Sequence, residues 1–261
     1  MRRTLHTLVL AAAVLSVLAA VAMADTLIGT DGAERLQGTP GPDQLYGEGG
    51  DDVLVALGGS DFVEAGPGND NVDAGGGLDL VIGGTGNDSI DGGVGRDLVY
   101  AGAGDDLVLG GQAADTLFGQ DGSDRLFGGA GGDRLYASGG EDFVDAGSGN
   151  DTLYAEGTGI TLLAGGGDDI VSASGGAITA DGGGGHDRIR TGHGDDRVSG
   201  GPGEDSIATG KGNDHIEAAD GRRDRVRCGP GKSDSGTADR IDVLSGCEDV
   251  TATPAHSALI R

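Results

Sequence analysis

The sequence predicts an all-β chain wound into a two-sheet parallel solenoid, and three observations predict it. A nine-residue period runs without insertion or deletion from Gly29 to Glu217, giving 21 blocks. Glycine supplies 57 of the 261 residues, in phase with that period. The chain also has no Trp, only four Phe and four Tyr, and 43 acidic against 17 basic side chains. Such a composition excludes an ordinary globular enzyme core, because aromatic and long aliphatic groups supply most of the apolar area that a compact domain buries. A net charge of -26 argues against nucleic acid as a partner, since it repels phosphate.

Residues 1–24 differ from the rest. Arg2 and Arg3 precede an apolar run from Leu8 to Val21 that ends in Ala22-Met23-Ala24. A basic start, a short apolar stretch and a small-residue cleavage site read as a secretory signal peptide, cut after Ala24. The run is shorter than the ~20 residues of a membrane span. Its removal takes away two Arg and leaves the mature chain at -28, with 15 basic and 43 acidic residues. Export places Cys228 and Cys247 in an oxidising compartment, where a bridge is expected over two free thiols.

In the array over residues 25–217, position four of each block is Gly in 19 of 21 cases, and position six is Asp in 18, the exceptions being Glu34, Ile160 and Ile178. Position eight is Leu, Val or Ile in 20, with Ala180 the exception. The block Gly83-Gly84-Thr85-Gly86-Asn87-Asp88-Ser89-Ile90-Asp91 shows the pattern whole. Glycines supply the positive φ angles of a tight turn, and the aliphatic eighth position gives one inward side chain per short strand. Two blocks make one coil, so 21 blocks give about 10.5 coils and a rod of roughly 50 Å at ~4.8 Å per coil. One aliphatic side chain per nine residues is a thin core, and the turns must contribute the remaining stability.

Asp at position six returns every 18 residues on the same edge of the rod, so carboxylates of neighbouring coils stand about one strand spacing apart and repel unless a cation lies between them. Carboxylates alternating with the open carbonyls of glycine turns suit a hard cation, and flexible all-oxygen sites favour Ca²⁺ over Mg²⁺.

The nonapeptide Gly-Gly-x-Gly-x-Asp-x-(large aliphatic)-x resembles the RTX, or hemolysin-type, calcium-binding repeat family. The resemblance implies a right-handed parallel β-roll with calcium clamped between turns of successive coils. The ligands it implies are Asp43, Asp52, Asp61, Asp70, Asp79, Asp88, Asp97, Asp106, Asp115, Asp124, Asp133, Asp142, Asp151, Asp169, Asp187, Asp196, Asp205 and Asp214. Pairs 18 apart number nine on one edge and six on the other, hence at most about 15 calcium ions, whose +30 nearly neutralises -28. Ile160 and Ile178 are consecutive on one edge, which is expected to lose its sites between Asp142 and Asp196. Ala113 replaces a turn glycine and marks the Asp115 turn as one expected to differ.

From Ala218 the register breaks. The stretch 218–250, with Cys228 and Cys247, is similar to the Cys-closed end of some secreted members of the family and reads as a cap; a bridge there is worth roughly 3 kcal/mol in the chain-entropy model. Residues 251–261 read as a loose tail.

Other motifs fail. No G-x-G-x-x-G or G-x-S-x-G occurs, and Gly231-Lys232-Ser233 lacks the first glycine of a phosphate loop. His186, His193, His215 and His256 lack metal spacing, and acid pairs such as Asp105-Asp106 recur as turn chemistry. Catalysis is therefore not expected. All eight aromatics fall at positions seven or nine, which face outward, and Ile82, Tyr100, Phe118, Tyr136 and Tyr154 line up at 18-residue spacing on one sheet. That stripe reads either as cross-strand stacking or as a docking face for a cell surface, a polysaccharide or a second copy. The overall expectation is a secreted calcium-binding structural or interaction module, with a carbohydrate-binding or cell-surface-binding module as the alternative.

Overall fold

A computed structural model describes residues 24–231 and 233–253. The expected leader, save Ala24, and residues 254–261 of the expected tail lie outside them. Within them the chain is an all-β, two-sheet parallel solenoid with no helix. The first sheet has 13 strands, from Thr26–Ile28 through Gln44–Tyr46 to Val243–Ser245. The second runs from Arg35–Gln37 to Asp249–Thr253, also by 13 strands in line, with Gly58–Gly59 and Gly76–Gly77 as short additions.

The fold class is as the period predicts, but the coil count is about 13 rather than 10.5, because strands flank the array at both ends. Thr26–Ile28 precedes the first block, and Arg225–Arg227, Ser235–Asp239, Val243–Ser245 and Asp249–Thr253 follow the last one. At ~4.8 Å per coil the rod is roughly 60 Å long. The segment expected to be a cap thus continues both sheets. Its insertions shift the pairing from 18 residues to 19 at Ile207↔Val226 and to 20 at Ile216↔Gly236, without leaving the sheet.

Three positions of each block face inward. Position eight forms two columns, such as Val63↔Val81 and Val99↔Leu117 in the first sheet and Leu126↔Val144 in the second, all buried. Period two then puts positions six and one on the same face as eight. Position one is only ever Gly, Ala or Thr, and Ala56, Ala65, Ala101, Thr191 and Thr209 are buried there. The core is therefore aliphatic in the middle, flanked by small residues two positions later in the chain and by carboxylates two positions earlier.

The turns explain the glycines. At Gly102 φ is +124°, and a Cβ would stand 2.0 Å from the carbonyl oxygen of Gly84 one coil earlier. The Cys228–Cys247 bridge is formed, with Cys228 fully buried at the end of the core.

Gly102→Ala should destabilise the folded roll by about 2 kcal/mol or more, from left-handed strain and the carbonyl clash. Gly166→Ala, where a Cβ meets nothing within 4 Å, should be neutral or stabilise by up to about 1 kcal/mol. Denaturant unfolding of the two variants in calcium checks the contrast.

Candidate metal-binding edges

Position six stands just before each strand, so its Asp side chain enters the rod where the turn meets the sheet. All 18 carboxylates implied by the repeat lie along the two edges and are 3% exposed or less. The sequence places them on the edges; the structure places them inside.

Each carboxylate is tied to the preceding coil. The backbone N–H of Asp43 donates to Asp61 Oδ1 at 2.7 Å, Asp61 N–H to Asp79 Oδ1 at 2.7 Å, and Asp79 N–H to Asp97 Oδ1 at 2.9 Å. The same ladder runs up the other edge, from Asp52 to Asp70 at 2.7 Å and from Asp70 to Asp88 at 2.8 Å. One oxygen of each group is thereby used. The second oxygen, Oδ2, is buried with no hydrogen-bond partner in 19 aspartates: every one of the 18 except Asp43, together with Asp224 and Asp234. A buried acceptor left unpaired costs roughly 1–3 kcal/mol, and more when charged.

These orphaned oxygens face a shared space. A Cβ on Gly47 would stand 2.6 Å from Asp52 Oδ2 and 2.3 Å from the carbonyl oxygen of Ala65, which is position one of the next coil. The arrangement repeats at Gly128, 2.6 Å from Asp133 Oδ2 and 2.5 Å from Ala146 O, and at Gly182, 2.6 Å from both Asp187 Oδ2 and Gly200 O. Carboxylate and carbonyl oxygens converge beside each small residue. Among the described residues no three His, Cys, Asp or Glu side chains gather as one metal centre. A cation held here takes only one or two carboxylates, and backbone carbonyls supply the remainder. That donor set, all oxygen and irregular, fits Ca²⁺.

Several positions differ from the expectation. Ala113 adopts the glycine conformation, φ +79°, and Asp115 keeps both rungs, from Asp97 N–H and to Asp133 Oδ1, each at 2.8 Å. The Asp115 turn is therefore regular, with the strain carried by one alanine. Asp43 has neither oxygen free: Oδ1 accepts from Asp25 N–H, and Oδ2 from the backbone N–H and hydroxyl of Thr39. Glu34 is held in the same way by Thr30. Local threonines close the first turn on each edge. Ile160 and Ile178 do interrupt their edge as expected, both buried, with the ladder ending at Asp142 and resuming where Ile178 N–H donates to Asp196.

Beyond the regular array the ladder continues, from Asp205 N–H to Asp224 Oδ1 and from Asp214 N–H to Asp234 Oδ1. Nonapeptide counting misses these two residues because the insertions before them break the period. A buried aliphatic residue two positions after Asp224, Val226, was the available signal.

Burial away from water is the largest cause raising these carboxyls, and like charges one coil away add to it. Asp88, Asp115, Asp124, Asp151, Asp187 and Asp224 are pushed up to about 7, and Asp79, Asp196 and Asp205 to about 6, against the opposing pull of the ladder hydrogen bonds. At Asp43, burial raises the carboxyl but the hydrogen bonds from Thr39 and Asp25 outweigh it.

The stripe on the first sheet is a continuous stack. Ring centroids are 4.8 Å apart for Tyr100–Phe118, 4.4 Å for Phe118–Tyr136 and 4.9 Å for Tyr136–Tyr154, with planes within 13° of parallel. Ile82 pairs with Tyr100 at its lower end. The ring faces are turned to each other, leaving edges to solvent, which is the cross-strand stacking arrangement.

A parallel β-solenoid with two interior edges of unsatisfied carboxylates defines a class of cation-dependent repeat protein. A profile of the RTX calcium-binding nonapeptide repeat matches residues 28–63, 55–90, 82–117, 118–153, 161–177 and 181–216, and the chain belongs to that family. No curated protein matches the chain.

Groups whose folded pKa is raised hold protons that the unfolded chain, near 3.8, has already lost. Their contribution to stability is full below about pH 4 and disappears as pH rises through 6 to 7. In chelator the roll should therefore show more β signal at pH 5 than at pH 7.5, by far-ultraviolet circular dichroism. Calcium should remove the difference.

Proposed function

We propose that this chain is an exported, non-catalytic roll that folds on binding calcium and then serves as a structural or interaction module. The observation that carries the reading is the set of 19 buried Oδ2 atoms without a partner. Asp61 and every position-six aspartate after it, together with Asp52, Asp224 and Asp234, would hold calcium with the position-one carbonyls beside them. Bound calcium supplies the positive charge and the oxygen-coordinating shell that these buried groups lack. The chain's own part is to bring the carboxylates into register, exclude water from them and satisfy one oxygen of each through the ladder. Export rests on residues 1–24 and agrees with the formed Cys228–Cys247 bridge. Among the described residues no helix is long and apolar enough to cross a membrane.

The carbohydrate-binding alternative draws little from the stripe, because sugar rings stack on aromatic faces and these faces are taken by one another, except the face of Tyr154 toward Ser172. The stack instead ties together the coils from Tyr100 to Tyr154, which border the interruption at Ile160.

The mature chain in chelator at pH 7.5 should be largely disordered, since the charge and thin core leave little to offset chain entropy, and calcium should convert it to a β-rich form. A β spectrum indifferent to chelator would refute this.

The interruption makes a local weak point. Around Asp169 the opposite edge carries Ile160 and Ile178, whereas around Asp88 it carries Asp79 and Asp97. Asp169→Ala should lower the calcium response more than Asp88→Ala. Limited proteolysis at intermediate calcium should cut first between about Ala155 and Asp181, because coupling in a solenoid is between neighbours. Cuts confined to the termini would contradict it.

A further inference from the structure

Charge is divided unevenly along the rod. Residues 25–187 hold four basic and 30 acidic side chains, a net of -26, while residues 188–261 hold eleven basic and 13 acidic, a net of -2. In that second part Asp196, Asp205, Asp214, Asp224 and Asp234 are buried in the ladder, so its outer surface is net basic.

Four arginines form one group on the outer face of the first sheet. Strand Arg188–Arg190 pairs with Ser206–Ala208, which pairs with Arg225–Arg227. The register is Arg188↔Ser206↔Arg225 and Arg190↔Ala208↔Arg227. Ile189, Ile207 and Val226 are buried between them, so all four arginines face outward, and all four are exposed. Two rows of guanidinium groups thus stand about two strand spacings, ~10 Å, apart, across a floor of one serine and one alanine. Small residues in the middle strand leave a hollow of about 180 Å³, lined by Arg188, Ser206 and Arg225, with His186, Arg223 and Glu204 and the buried Asp187 and Asp205 at its turn side. Arg197, on the other sheet, is spent on Glu217 at 2.6 Å. None of the four arginines has an ion pair or a side-chain hydrogen bond to another described residue. In a chain this acidic, four adjacent and unpaired arginines on one face are not explained by the fold, since Ile189, Ile207 and Val226 already hold the strands.

We propose that this face is a binding site for the sulfate or phosphate ester groups of an anionic polysaccharide. Guanidinium forks match tetrahedral oxyanions, donating paired N–H groups in fixed geometry. Rows on both sides of a shallow floor let one ester group be gripped from two directions. A flexible polymer chain can enter the hollow between the two rows, whereas a flat membrane surface laid against the sheet stays above its floor. The arginines lie on the outer face, while Asp187 and Asp205 at the turn side belong to the interior edge, so calcium held there would offset their charge beside the hollow.

The test uses the calcium-loaded mature chain and dextran sulfate as probe, in about 0.1 M sodium chloride, with circular dichroism confirming the fold of each variant. Arg188→Ser with Arg225→Ser should weaken binding about tenfold or more, and the fourfold variant that adds Arg190→Ser and Arg227→Ser should abolish it. Arg35→Ser with Arg134→Ser removes the same charge elsewhere and should leave affinity within about twofold. Should the fourfold variant fail to fold, Arg190→Ser with Arg227→Ser alone reads the second row. The proposal is overturned if the wild-type chain does not bind. Full retention by the arginine variants would show calcium bridging sulfate to the acidic edges, and an equal loss in the Arg35/Arg134 control would show an effect of net charge alone; either overturns it. Binding to phosphatidylglycerol vesicles but not to dextran sulfate would likewise replace the polymer with a lipid surface.

Discussion

The rest of the molecule depends on one interaction: a backbone N–H on each edge donates to the aspartate oxygen 18 residues ahead. It joins coil to coil at the corners, where the sheets do not reach. It also fixes each carboxylate inside the rod with a single oxygen satisfied. The small residues at position one follow from it, because a larger side chain at Gly47 or Gly128 would fill the space that the second oxygen faces. The tolerance of the C-terminal coils to insertion follows too. Asp224 and Asp234 reach their rungs across 19 and 20 residues, the added residues being accommodated elsewhere in the coil while the ladder keeps its line.

The ladder is built to be incomplete, and its exceptions show what completes it. At the first turn on each edge, Thr30 and Thr39 supply hydroxyl and N–H donors to Glu34 and Asp43, so these turns close without a cation. At Ile160 and Ile178 the problem is removed, since an aliphatic side chain fills the site and leaves no charge to compensate. At the last turn Asp242 accepts from the N–H groups of Asp224 and Asp239, and at the 19 aspartates between these ends one oxygen is left without a donor. Protonation or a cation can satisfy it, and the raised carboxyl pKa values and the calcium-binding family express the same need in two ways.

Much of this was legible in the sequence. Glycine at position four, Asp at six and an aliphatic residue at eight specify the coil, the parallel sheets, the two edges and the gap at Ile160 and Ile178. The burial of Asp at position six was legible in principle, because six, eight and the following one share a face by period two; a carboxylate is ordinarily expected at the surface, and that prior hides it. The coils after Glu217 were not legible by counting, since hydrogen bonds and burial keep the register there while the sequence spacing changes. Ala113 was misleading for a related reason: its neighbours impose a left-handed φ that alanine does not choose by itself. The stacking of Tyr100, Phe118, Tyr136 and Tyr154 was foreseeable from their spacing, but the orientation of the rings is a matter of packing.

The central claim is that uncompensated buried carboxylate, more than the thinness of the apolar core, keeps the metal-free chain from folding. Asparagine has nearly the same shape, keeps an oxygen for the ladder and carries no charge. The most direct measurement is a calcium titration, followed by circular dichroism, of the chain bearing Asp97→Asn, Asp115→Asn and Asp133→Asn on three successive rungs of one edge. The account predicts more β structure than wild type in chelator at pH 7.5 and a smaller response to calcium. A variant as disordered as wild type in chelator, and as dependent on calcium, would contradict it.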